Sequence, residues 1–253
     1  MVQGVGTLAR MQSEMLSPKT RVLDVKSCRD LRIEEFEDPF EAFFWLGACA
    51  AKREASPKKA PLADVAEFVA FDTETTGLGS RDVAVQVCVG FYDAAGKALG
   101  FYDKLWKPPR GAVISKGSIA VHGVTNARVL RDGLDARSEL PKVHAIFKKM
   151  RSRGKRIVAH NAAFDVRILC QTASAHGFAG WDLKQSHTFC TMNAAAPRCG
   201  LKSKKTGRAR KPKNAELYRI MTGKAPSGAL HDAQVDVGVT ARSYAEGVAR
   251  SWW

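Results

Sequence analysis

Apolar and polar positions divide the chain into two unlike parts. From about residue 64, short apolar runs alternate with longer stretches whose apolar residues recur every three or four positions. "VAEFVAFD" (65–72), "VAVQVCVGFYD" (83–93) and "KALGFYDKLW" (97–106) predict three strands, with "AAG" as the turn joining the last two. "LPKVHAIFKKM" (140–150) has helical spacing, "KRIVAH" (155–160) is a short strand, and "AAFDVRILCQTASAHG" (162–177) is a helix stopped by Gly177. "SHTFCTM" (186–192) predicts a further strand; "NAELYRIMTG" (214–223) and "DAQVDVGVTARSYAEGV" (232–248) predict helices. A three-strand meander followed by alternating helix and strand implies an α/β domain, a mixed sheet covered by helices.

Residues 1–61 lack this rhythm. "EEFEDPFEAFFWLGACAAKREA" (34–55) predicts a helix broken at Pro39, and its Phe40, Phe43, Phe44 and Leu46 need a cover. The main domain could supply it, or a partner protein could. "SPKKAP" (56–61) reads as a linker. The expected organisation is an N-terminal extension and linker over 1–61 and a catalytic domain over 62–250.

Charge adds a partner to this picture. The 253 residues carry 40 Lys and Arg against 25 Asp and Glu, a formal charge of +15. Residues 1–61 are almost neutral, with ten basic and nine acidic residues, so nearly all of the surplus follows them. A basic domain points to an anionic partner, nucleic acid first. Its most biased segment, "RCGLKSKKTGRARKPK" (198–213), has eight basic residues and no acid. Six scattered cysteines without a Cys-x-x-Cys pair read as reduced thiols of an intracellular protein. His187, Cys190 and Cys199 lack a fourth zinc ligand. No run is long enough to span a membrane and no secretory signal opens the chain, whereas Arg10 and Arg21 are compatible with an organelle transit peptide.

Candidate chemistry gathers where strands end in carboxylates. In "FDTETTG" the side chains of Asp72 and Glu74 share one face of a strand, and Thr73 takes the other. Two adjacent carboxylates resist ionisation unless a cation lies between them, and magnesium or manganese prefers such oxygen ligands. "HNAAFD" places Asp165 near the start of a helix with Asn161 as a candidate N-cap; "HDAQVD" offers His231 before a helix capped by Asp232, and Asp236 within it.

Together these stretches resemble the DEDD superfamily of 3′-to-5′ exonucleases, in the histidine-containing branch that includes the proofreading epsilon subunit of bacterial DNA polymerase III. "VHGVT" (121–125) also resembles that family, and the likeness runs over about residues 64–246. The resemblance implies an RNase H-like fold with a central mixed five-stranded sheet. It implies two Mg2+ or Mn2+ ions about 3.5–4 Å apart, held by Asp72, Glu74, Asp165 and Asp236, with Asp72 bridging them. His231 would be the general base. Thr75, Leu78, His122, Asn161 and Phe164 match positions that cradle the 3′ end. The implied activity is removal of nucleoside monophosphates from nucleic-acid 3′ ends, single-stranded DNA somewhat favoured. A 3′-to-5′ exoribonuclease is the alternative, and an inert nucleic-acid-binding module is the alternative of another class. Some cations of the basic run are expected to contact substrate phosphates.

Overall fold

A computed structural model describes residues 60–227 and 232–253 of the chain. The predicted N-terminal helix, most of the linker and His231 lie outside these residues.

A short helix, α1 (Leu62–Val65), leads into β1 (Phe68–Thr75), β2 (Ala84–Tyr92) and β3 (Ala98–Lys107). Two seven-residue helices follow, α2 (Lys116–His122) and α3 (Asn126–Asp132). Then come β4 (Leu134–Asp135), α4 (Ala136–Ser152), β5 (Arg156–Ala159) and α5 (Ala162–Ala175). A 3-10 turn (Gln185–His187) precedes β6 (Phe189–Cys190) and α6 (Thr191–Ala195). The last elements are α7 (Asn214–Thr222) and α8 (Ala233–Ala249).

The strands form one mixed sheet in the order β4-β3-β2-β1-β5-β6. The meander pairs antiparallel, and β5 then joins the other edge of β1 in parallel. The sheet has six strands rather than the expected five. The extra one is β4, where Leu134 and Asp135 pair with Trp106 and Lys107 before Asp135 caps α4. A strand of two residues has no period to read, and β6 is equally short.

Both faces of β1 are covered, which is why β1 and β2 read as nearly continuous apolar runs. On one face Val69, Phe71, Val87 and Val89 pack with Leu140 and Phe147 of α4 and Ile168 and Leu169 of α5. On the other, Phe68, Ala70, Cys88 and Tyr92 pack with Val237, Ala241 and Tyr244 of α8. Alternation along β1 therefore carries Asp72 and Glu74 toward α8 and Thr73 toward α5.

The α2 and α3 helices were not anticipated. Each has a side-chain N-cap, Ser115 accepting from Ser118 N and Thr125 from Arg128 N. Each is followed by a glycine, Gly123 and Gly133. "VHGVT" runs from the end of α2 to the cap of α3.

Candidate active site

The carboxylates meet because β1 ends where α5 and α8 begin. Asp72 and Glu74 lie near the C-terminal end of β1, and Asp236 lies in the first turn of α8. Asp232 caps α8 by accepting from the backbone of Gln234 and Val235. Ligand oxygens of Asp72, Glu74 and Asp236 fall within 4.8 Å of one another.

Asp165 joins them from the opposite face of the sheet. It is 2% exposed, and its Oδ1 accepts from the backbone N of Thr73 at 3.1 Å and from the Thr73 hydroxyl at 2.8 Å. Thr73 is the residue that the sequence reading passed over. A β-branched residue in a strand carries no mark of function, and only its alternation to the α5 side could have drawn attention to it.

The electrostatics of the acids follow from this packing. Burial, then the charges of Asp165, Glu74 and Asp236, holds the Asp72 carboxyl well above its usual range. Burial, then Asp236 and Asp165, pushes Glu74 up to about 8. Burial pushes Asp165 up to about 7, against the pull of the two hydrogen bonds from Thr73. Burial and mutual repulsion together hold these acids back from ionising, a hard divalent cation opposes both, and an all-carboxylate donor set suits magnesium or manganese. The residues present therefore fit such an ion. His187, one member of the incomplete zinc set, has its ring engaged by Arg151 and by the backbone N of Lys184.

The remaining candidates lie around the end of β1. Thr75 is buried and donates its hydroxyl to the Gly77 carbonyl. His122 accepts from the Val124 backbone at Nδ1, leaving Nε2 to donate to the Thr75 carbonyl at 3.1 Å. Leu78 is 77% exposed at the head of a tight loop. Thr76 donates to Asp82, and Asp82 accepts from Gly79 N. A Cβ at Gly77 would meet the Asp82 carboxylate at 2.6 Å, so the loop needs glycine there. Arg167 ties this loop to α5: it donates to the carbonyls of Gly79 and Leu78 and lies over the Phe164 ring, 5.2 Å from its centroid. Gln171 donates to the Gly79 and Asp82 carbonyls.

Asn161 stands at the N-cap position of α5, as expected, but in the left-handed conformation (φ 69°) and without a side-chain cap bond. Asparagine tolerates this region better than most residues. No described helix is long and apolar enough to cross a membrane.

Comparison with known proteins gives this geometry a family. A DNA polymerase III subunit epsilon-like protein from Rhodobacter capsulatus is 35% identical over 119 residues, 46% of this chain and 16% of that protein. Exonuclease I from Methylocaldum szegediense superposes with a TM-score of 0.57 at 18% identity, covering 72% of this chain and 40% of the other. E. coli exonuclease I bound to an oligonucleotide gives 0.57 at 17%, covering 72% and 41%. Exonuclease X in complex with 5′-overhanging duplex DNA gives 0.51 at 24%, covering 74% and 93%. The chain thus spans about a sixth of the curated relative and well under half of the exonuclease I chains. The family profile described as RNase_T, Exonuclease, matches residues 69–244, and this chain belongs to that family of nucleases acting on nucleic acids.

Proposed function

We propose that this chain is a divalent-metal-dependent 3′-to-5′ exonuclease, with single-stranded or overhanging DNA ends favoured over RNA. One observation carries the reading: Asp72, Glu74 and Asp236 converge within 4.8 Å at a strand end, with Asp165 fixed beside them by Thr73. The structures of exonuclease I with an oligonucleotide and exonuclease X with overhanging duplex DNA support the choice of substrate. Residues 62–250 would form the nuclease domain, with 1–61 an N-terminal extension and linker.

A bound divalent cation would polarise the scissile phosphodiester and ease deprotonation of the attacking water. Asp72, Glu74 and Asp236 would hold that charge, with two ions as the expected complement, and Asp165 would add its carboxylate from the other face. His231, directly before the capping Asp232 in the chain, would take the proton from the attacking water. Thr75, Leu78, His122, Asn161 and Phe164 would grip the terminal nucleotide by sugar and stacked base, which favours weak sequence preference.

The test is digestion of matched 5′-labelled substrates with Mg2+ or Mn2+: single-stranded DNA, duplex DNA with a mismatched 3′ end, and RNA. The expected product is a ladder that shortens from the 3′ end, fastest on single-stranded DNA. A ladder on RNA alone would replace the favoured substrate with the alternative one. No shortening of any substrate with either metal would overturn the enzymatic reading.

A further inference from the structure

The basic run over 198–213 divides into cations that the fold uses and cations that it does not. Arg210 is used: it makes paired hydrogen bonds of 2.7 Å to both carboxylate oxygens of Glu216, and with the Lys213 backbone it holds Glu216 down at about 2. Lys213 is the N-cap residue of α7.

The segment before them is a hairpin. Ser203 N donates to Arg208 O, Arg210 N donates to Leu201 O, and Lys202 bridges Ala209. Gly207, at φ 68°, closes the tip, a conformation that glycine adopts without strain. Lys202, Lys204, Lys205 and Arg208 are exposed on it, and none makes an ion pair among the described residues. Four unneutralised cations on a lone two-stranded ribbon oppose its folding, since like charges facing each other repel and such ribbons are marginal unaided. Nothing among the described residues rewards them.

What holds the hairpin in place is its base. The His160 ring meets the Pro212 carbonyl at 3.1 Å through Nε2 and Thr191 Oγ1 at 3.0 Å through Nδ1. Burial keeps this imidazole neutral, down at about 4. Asn214 donates to the carbonyl of Asp236, a member of the acid cluster, and accepts from Thr240. The ribbon thus rises from a base bonded on one side to the residue after β5 and on the other to the helix turn that carries Asp236. A turn closed by Gly207 N donating to Ser203 O places Lys204 and Lys205 at the end of the ribbon beyond the bridge. No hairpin cation is among the groups that shift Asp72, Glu74 or Asp165.

We propose that the hairpin tip, through Lys204, Lys205 and Arg208, is a binding surface for the phosphate backbone of a single strand whose end occupies the acid cluster. This rests on the nuclease reading for the location of the strand's end, and it adds a second, sugar-indifferent grip outside the acid cluster. Arg210 is excluded from that grip because Glu216 already holds it.

The experiment is equilibrium binding of the full chain, in EDTA, to a 20-nucleotide DNA strand and to an RNA strand of the same sequence, over a series of salt concentrations. Each phosphate contact contributes about −0.7 to the slope of log affinity against log salt. The triple variant Lys204→Gln, Lys205→Gln, Arg208→Gln should make that slope shallower by about 2, equally for both strands. The charge-conserving triple variant Lys204→Arg, Lys205→Arg, Arg208→Lys should restore it. An unchanged slope, or a change confined to one strand, would overturn the proposal. Because the binding is read without metal, a protein that cut nothing could still support the hairpin. A protein that cut normally with an unchanged slope would refute the hairpin and leave the nuclease reading standing.

Discussion

The two faces of β1 treat their acids in opposite ways. On the α8 face, Asp72, Glu74 and Asp236 crowd together, and burial, then the neighbouring acids, holds Asp72 and Glu74 above their usual range. On the α5 face, Asp165 stands with two donors from Thr73, both holding it toward the ionised form. Asp72, Glu74 and Asp165 are all held above their ordinary range, but Asp165 is fixed in position by its two donors from Thr73. One group of acids is left to crowd, and a neighbour that shares the raised pKa of Asp72 and Glu74 is tied down. Each of the following substitutions weakens one side of that contrast.

The largest effect belongs to the crowded face. Asp72→Asn or Asp236→Asn should abolish hydrolysis in a 3′-end assay. The same variants should melt higher than the wild type in EDTA, because one repelling charge is gone. A variant with wild-type turnover would remove these residues from the metal site.

Next comes a group expected to move a proton rather than hold a metal. His231→Ala should slow the chemical step by about 10²–10⁴-fold, with metal affinity nearly unchanged in a calorimetric titration. The wild-type rate should rise with pH as His231 loses its proton. A large fall in metal affinity would instead place His231 on the metal side of the contrast.

On the tied-down face, Thr73→Val removes one of the two donors to buried Asp165. A cost of about 1–3 kcal/mol in chemical denaturation is the expected result. Thr73→Ser should recover most of it, and an unaffected Thr73→Val would show that the latch does not hold Asp165.

The smallest effect is a pH trend in the metal-free protein. Glu74 at about 8 and Asp165 at about 7 lie above their ordinary values, so the folded state binds these protons more tightly than the unfolded chain. That stability is complete below about pH 4 and is lost as pH rises through 7 and 8. His160, held down at about 4, works the other way, but its contribution no longer changes above about 6.5. Between pH 6.5 and 8.5 the melting temperature in EDTA should therefore fall. Mg2+ or Mn2+ should restore it, and more so at the upper end. A flat profile would mean that the acids are not strained.

Much of this architecture is legible in residue order. β1 to β3, α4, α5, α7 and α8 span enough residues to display their period, and Asp72, Glu74, Asp165 and Asp236 stand out because acids interrupt apolar runs. α2 and α3 are too short for a period to develop, although Ser115 with Gly123 and Thr125 with Gly133 mark their limits. Thr73 is silent because its role depends on a helix ninety residues away. The hairpin within the basic run leaves no mark in residue order because the bonds that fix its base, His160 to Pro212 and Asn214 to Asp236, cross from other parts of the chain.

The alternation along β1 also limits how the protein can change. Deleting one residue between Phe68 and Asp72 would exchange the faces of every position on one side of the cut. Where the acids kept their pairing, Phe68 and Ala70 would turn into the α4–α5 core; where the core kept its pairing, the acids would turn toward α5, away from Asp236. No rotamer adjustment repairs either outcome. This strand can be revised by substitution but not by altering its length, and any variation in chain length among active descendants must fall elsewhere.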